Sequence, residues 1–164
     1  LGCNVTVVPY NTTAEEVLSL QHDGLFIYDG PGDPNDVPSV VKLIQDLQGK
    51  LPILGVELGH QLVCLANGAK VVKMDCGHHG CNHPIRNVDT GKIEFAPQSH
   101  NYMLDAGSIE DTTLRITHVN VLDGTPEACE STVYPTLSAQ FDLSGDHPLY
   151  EKFLKLMEEG KRNA

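Results

Sequence analysis

Basic residues are scarce in this chain. Lys and Arg together number 11 against 22 Asp and Glu in 164 residues, a formal net charge of -11. Nucleic-acid backbones and anionic membranes are held by clustered Lys and Arg, so this balance disfavours both as partners. Long apolar runs are also missing: none approaches the roughly 20 residues that a bilayer-spanning helix needs. Residues 1–20 lack the basic start and apolar block of a secretory signal. Without one, the glycosylation-like triplets Asn4-Val-Thr6 and Asn11-Thr-Thr13 are read as chance. The five cysteines, Cys3, Cys64, Cys76, Cys81 and Cys129, are odd in number and scattered. That spacing argues against a disulfide frame and for free thiols in a reducing compartment, with the cytoplasm as the expected location. No repeat, low-complexity tract or linker divides the chain, and residues 1–164 are expected to form one domain with a real core.

Periodicity supplies the positive signals. Val5-Thr-Val-Val8 is a β-branched run and predicts a buried strand. Thr13 and its neighbours offer a helix cap before Ala14–Leu20. Gly24–Tyr28 predicts a second strand and Pro52–Val56 a third. Between them, Val37, Val40, Val41, Ile44 and Leu47 fall at helical spacing. A further helix is expected over Gly59–Asn67, closed by Gly68. Residues 5–67 therefore read β-α-β-α-β-α, which implies parallel strands with helices on both faces. After residue 70 short strands are expected at Lys70–Lys73, Ile85–Val88, Lys92–Phe95, Leu114–Val119, Glu127–Ser131 and Pro135–Phe141, with a last helix from about Pro148 to Gly160. The opening Leu1–Asn4 reads like the end of a helix running into a strand, and a preceding segment is expected.

In open parallel sheets, ligands sit at the carboxyl ends of the strands. Three features fall there: the Gly30-Pro-Gly32 loop, Gly55-Val-Glu-Leu-Gly59, and the chain near Asp142. Gly55-x-Glu57-x-Gly59 has the shape of a nucleophile elbow, in which flanking glycines allow a sharp strand-to-helix turn that exposes the central side chain. An ordinary β–α turn with two glycines fits the same spacing. The central residue of an active elbow is Ser or Cys activated by His. Here it is Glu57.

The motifs resemble one family. Leu54-Gly-Val-Glu-Leu-Gly-His-Gln61 is similar to the nucleophile motif of class I glutamine amidotransferases, and Asp29-Gly-Pro-Gly-Asp-Pro34 to their oxyanion loop. Lys73-Met-Asp-Cys-Gly-His-His-Gly-Cys-Asn-His-Pro84 resembles a stretch particular to the small subunits of carbamoyl phosphate synthetase. Gln98-Ser-His-Asn-Tyr102 is similar to a further family motif. The resemblance implies a three-layer α/β/α sandwich, flavodoxin-like, here without the family's first strand and helix. It implies a Cys-His-Glu triad that hydrolyses glutamine through a thioester. The ammonia released passes to a large subunit, the expected partner. No cofactor or metal is expected.

Measured against that pattern, the triad is degenerate. Glu57 occupies the nucleophile position. Asp142 and Ser144 fall at the His and Glu positions when Leu137–Phe141 is aligned with the family strand. Gly30, Gly32, Leu58, Gly59 and Gln61 retain the oxyanion and binding scaffold. Ser99 and Asn101 replace residues that contact glutamine, and Tyr102 stands beside them. The resemblance therefore implies a pseudo-glutaminase with a degenerate glutamine pocket. Two alternatives stay open at this point. One is a residual amidase using Cys64 with His147. The other is a metal-binding module at residues 76–83, where Cys76, His78, His79, Cys81 and His83 crowd together. His60 and His100 are expected to be structural.

Overall fold

The computed structural model describes residues 2–143 and 145–163. Its framework is a seven-stranded mixed sheet with strand order β1-β2-β7-β6-β5-β3-β4. The parallel part comprises β1 (Leu25–Ile27), β2 (Ile53–Val56) and β7 (Thr136–Ala139), with Leu54 opposite Phe26 on one side and Leu137 on the other. The remaining strands, β3 (Val71–Asn87), β4 (Ile93–Leu104), β5 (Leu114–Asn120) and β6 (Pro126–Ser131), join antiparallel.

Side-chain alternation on the central strands creates two cores. Leu54 and Val56 of β2, with Leu137 and Ala139 of β7, face α4 (Pro148–Asn163), where Phe153 packs among them beside the fully buried Phe141. Burying a side chain such as Phe141 contributes roughly 1.5–3 kcal/mol. Ile53 points the other way, toward α1 (Ala14–Ser19), α2 (Pro38–Leu47) and α3 (Leu58–Ala66), meeting Val17, Leu43, Ile44, Leu47, Leu62 and Val63. Helices thus cover both faces of the sheet, giving three layers. A third cluster of Cys64, Val71, Leu104, Leu114 and Cys129 ties α3 to the antiparallel strands.

Local chemistry sets the helix ends. Thr13 accepts from the Glu16 N–H and Glu16 answers on the Thr13 N–H, a complete capping box. Glu16 is held below the usual carboxylate range mainly by that backbone bond. Pro38 opens α2, where its fixed φ suits the first turn.

Three expectations need correction. Val5–Val8 is not a strand: the segment pairs with no strand among the described residues, and Val5 and Val7 are 81% and 91% exposed. A β-branched run supplies propensity, but a strand exists only where a neighbour completes its ladder. The order of residues 5–67 is therefore α-β-α-β-α, and β1 is the edge of the sheet. Likewise, no helix lies over residues 2–4; Leu1 falls outside the described residues. The third correction concerns the strands expected at Lys70–Lys73 and Ile85–Val88, which merge into one strand of 17 residues, β3, running from Val71 to Asn87. Register shifts between Lys73 and His78, and between Gly80 and His83, keep that strand paired with β4 through a stretch lacking apolar alternation. Among the described residues, no helix is long and apolar enough to cross a membrane.

Candidate active site

Glu57 forms the elbow between β2 and α3. Its φ of 55° and ψ of −115° lie where non-glycine residues rarely go. The turn is held from both sides. The Glu57 N–H donates to the Ala139 carbonyl at 2.8 Å, and its carbonyl accepts from the His60 N–H at 3.0 Å. Only glycine fits at the flanks: a Cβ on Gly55 would overlap the Gly59 backbone, and one on Gly59 would overlap the Ile27 carbonyl. This close approach of α3 to β1 and β2 brings the helix start to the carboxyl ends of the strands.

A cavity of about 450 Å3 opens there, lined by Asp29, Gly30, Pro31, Gly32, Glu57, Leu58, Gln61, Ser99, His100, Asn101, Tyr102 and Gln140. The fold thus gathers Glu57, Gly30, Gly32, Leu58, Gln61, Ser99, Asn101 and Tyr102, residues far apart in sequence, around one space. Gly30 and Leu58 touch, since a Cβ on Gly30 would meet Leu58 Cδ2 at 2.9 Å. The N–H groups of Leu58 and Gly59 open α3 and have no intrahelical acceptor, so the helix start offers donors to a negative or carbonyl oxygen.

The polar lining is internally tied. Gln61 Nε2 donates to Gln140 Oε1 at 3.0 Å, and Tyr102 Oη donates to Asp33 Oδ2 at 3.1 Å. Asn101 Oδ1 lies 3.1 Å from His79 Nε2, while Ser99 is exposed. His100 Nδ1 lies 2.8 Å from the Tyr102 carbonyl and its Nε2 3.1 Å from Gln98 Oε1.

Electrostatics at the elbow are dominated by carboxylates. Burial pushes Glu57 up to about 7, and the charges of Asp29 and Asp142 push in the same direction. Tyr28 is raised by burial and then by Asp142, Glu57 and Asp29. Desolvation and two like charges outweigh the favourable helix N-terminus. Asp142 is half-buried, with its N–H donating to the Pro97 carbonyl at 3.1 Å. Ser144 lies outside the described residues.

Cys64 and His147 are not brought together. Cys64 is fully buried on α3, its thiol pushed up by burial and by Cys129. The imidazole near it is His60, whose Nδ1 bonds Ser138 Oγ at 2.9 Å and whose burial lowers it to about 3. A neutral imidazole beside a protonated thiol, both sealed from solvent, is a packing pair. His147 is on the other face of the sheet, against Phe141, with Nε2 3.3 Å from Glu94 Oε1. Within 76–83, Cys76 and Cys81 are exposed; the ligand-type atoms that gather among the described residues belong to His78, His100 and Glu127. Sequence reading named Asp29 and Gln98 within motifs without placing Asp29 beside Glu57 or giving Gln98 a role, and it missed Asn120 and Glu127. A carboxylate inside the strand Pro126–Ser131 was the one available signal for the last.

The comparisons with known proteins agree with this geometry. Residues 1–148 match the family described as glutamine amidotransferase class-I. The chain is 43% identical over 168 residues to a carbamoyl phosphate synthase small chain of Bacillus cereus, covering 99% of this chain and 46% of that one. A small chain of Lactococcus lactis is 44% identical over 166 residues, with 98% and 46% covered. The chain thus spans about half the length of the curated relatives it matches. Among solved structures, a protein of Thermoplasma acidophilum assigned to GMP synthase superposes with a TM-score of 0.79 at 19% identity, covering 96% of this chain and 82% of that one. A glutamine amidotransferase of Thermotoga maritima gives a TM-score of 0.60 at 14% identity, covering 84% and 70%. At these identities the two structures speak to the fold. Family match, relatives and fold agree: the chain belongs to the class I glutamine amidotransferases and is similar, over nearly its whole length, to the small chains of carbamoyl phosphate synthase.

Proposed function

We propose that this chain is a glutaminase-type domain that does not hydrolyse glutamine, and that it serves a carbamoyl phosphate synthase large subunit or a paralogous partner as a structural or regulatory element. The observation that carries the reading is Glu57 at the elbow. A thiolate adds to an amide and leaves a thioester that water opens. A carboxylate is a far weaker nucleophile toward an amide, and its adduct would be an anhydride. At about 7, Glu57 is also half protonated near neutrality.

Two further features support the proposal. Among the described residues the cavity lining contains no cysteine, and its histidine, His100, has Nδ1 against the Tyr102 carbonyl and Nε2 against the buried Gln98 side chain. Asp142, which alignment with the family pattern sets at the position of the base, acts on Glu57 as a like charge. Loss of a triad nucleophile commonly costs on the order of a million-fold in turnover. In this reading the cavity keeps a donor-bearing floor at Gly30, Gly32, Leu58 and Gln61. Glu57, Ser99 and Asn101 line the cavity where the family pattern has other residues.

The test uses a purified large subunit with and without the chain. The expected result is a stable complex in which ammonia, and not glutamine, supports carbamoyl phosphate synthesis. Glutamine-supported synthesis at a rate near that with ammonia would refute the proposal.

A further inference from the structure

Behind the cavity wall lies a second constellation that the proposed function does not use. His78 stands on β3, Gln98 and His100 on β4, and Glu127 on β6; all four are buried, Glu127 completely. One ring nitrogen from each histidine and a carboxylate oxygen of Glu127 all lie within 4.8 Å of one another.

The second nitrogen of each ring fixes the tautomers. His78 Nε2 is 2.8 Å from Asp123 Oδ2, and His100 Nδ1 is 2.8 Å from the Tyr102 carbonyl. Carboxylates and carbonyls only accept, so both of these nitrogens carry hydrogen. In neutral rings, His78 Nδ1 and His100 Nε2 are then bare lone pairs. Both face Gln98 Oε1, at 2.8 Å and 3.1 Å, and His78 Nδ1 also faces Glu127 Oε1 at 3.3 Å. With Glu127 ionised, four acceptors converge on one point, which is repulsive unless a proton or a metal cation sits between them. Burial, the largest influence on Glu127, opposes its ionisation and so favours one of the two. The Asn120 amide offers His78 Nδ1 only a long contact of 3.5 Å, and it already donates to Glu127 Oε1 at 3.1 Å. Rotating the Gln98 amide would give the imidazoles a donor but would turn its carbonyl toward Glu127, which its amide nitrogen now faces. Among the described residues, Glu127 Oε2 and Gln98 Nε2 face each other without a well-formed hydrogen bond and have no other partner. A buried carboxylate is tolerated when it is paired or coordinates a metal.

We infer that His78 Nδ1, His100 Nε2 and Glu127 bind a divalent transition-metal ion of the zinc class, with Gln98 Oε1 as a fourth, oxygen ligand. Two imidazoles and a carboxylate suit such an ion. Hydrogen bonds from histidine ligands to a carboxylate and a backbone carbonyl are the outer contacts that orient metal-bound imidazoles, and Asn120 Nδ2 holds Glu127 Oε1 in the same manner. Tetrahedral coordination at roughly 2.0–2.2 Å sets ligand atoms about 3.3–3.6 Å apart, so the 2.8 Å and 3.1 Å contacts to Gln98 Oε1 would open slightly while the wider separations, all within 4.8 Å, close. The register shifts on either side of His78–Gly80 aim that ring inward. The ion would pin β3, β4 and β6 together and leave exposed Cys76 and Cys81 uninvolved. This departs from the expectation, drawn from sequence, that the chain holds no metal, and it is independent of the proposed loss of glutaminase activity.

The test strips the purified chain with chelator and titrates it with Zn2+ by calorimetry and with Co2+ by visible absorption. The expected result is one ion per chain and a four-coordinate cobalt spectrum without a thiolate charge-transfer band. Glu127→Gln and His100→Ala should abolish stoichiometric uptake. Asp123→Asn alters only a half-exposed outer contact and keeps the test decisive if those variants do not fold; it should weaken binding by about 10–100-fold. Cys76→Ser with Cys81→Ser should change nothing. No stoichiometric uptake by the native chain, undiminished affinity in Asp123→Asn, or a thiolate band lost with the double cysteine variant would each overturn the inference. The first of these outcomes means that protons alone neutralise the cluster.

Discussion

Gly59 at the start of α3 packs directly on the backbone carbonyl of Ile27 in β1, leaving no room for a single carbon atom between them. The elbow exists because of this contact, since any side chain at 59 pushes the helix away from the strand ends. Gly59→Ala is expected to destabilise the protein by roughly 1–3 kcal/mol or more, the usual cost of overpacking against an unyielding neighbour. Urea unfolding of the variant measures it directly, and a change within a few tenths of a kcal/mol would show that the helix start has room to give.

The Glu57 carboxyl gives a signature in pH. Its folded value of about 7 stands above the ordinary 4.5. Between those values the native state holds more protons than the unfolded chain, so this group's contribution falls as pH rises and levels off above the folded value. Glu57→Gln removes that dependence. Thermal melts should show the variant gaining stability relative to the native chain above pH 7 and little difference below pH 4.5. An equal gap at both ends would mean that Glu57 is not desolvated.

Much of this region was legible in the sequence because its constraints are local. Gly55 and Gly59 flank Glu57 within one turn, and the apolar spacing of α2 needs only one helix: Val40, Ile44 and Leu47 are buried as the stripe requires, with Leu43 added. Val5–Val8 failed because a strand is a property of pairs, and no composition signal supplies the missing neighbour. The His78–Gln98–His100–Glu127 cluster was invisible for a related reason: its members come from three strands joined by sheet pairing, while in the conspicuous run at 76–83 the two cysteines are exposed and only His78 turns toward His100 and Glu127.

Ser138 and His60 form a buried polar pair between β7 and α3. The Ser138 hydroxyl donates to the Cys129 carbonyl at 3.4 Å and takes the His60 Nδ1 hydrogen at 2.9 Å. Ser138→Ala would leave the imidazole N–H without a partner in a sealed core, at a cost of about 1–3 kcal/mol. Denaturant unfolding checks this. A neutral or stabilising outcome would show that His60 finds another acceptor.

Thiol reactivity separates an inert Cys64 from a hidden nucleophile. Cys3, Cys76 and Cys81 are exposed, while Cys64 and Cys129 are buried. A disulfide reagent should label the first three rapidly in the native protein and the last two only after unfolding. Rapid modification of Cys64 would revive the idea of a rearranged amidase.

The proposal rests on the elbow carboxylate, and glutamate release from glutamine tests it most directly. The native chain should release no glutamate above a protein-free control, whether or not a large subunit is present, while Glu57→Cys combined with Asp142→His should release it measurably. Multiple turnovers of glutamine by the native chain would contradict the proposed loss of activity.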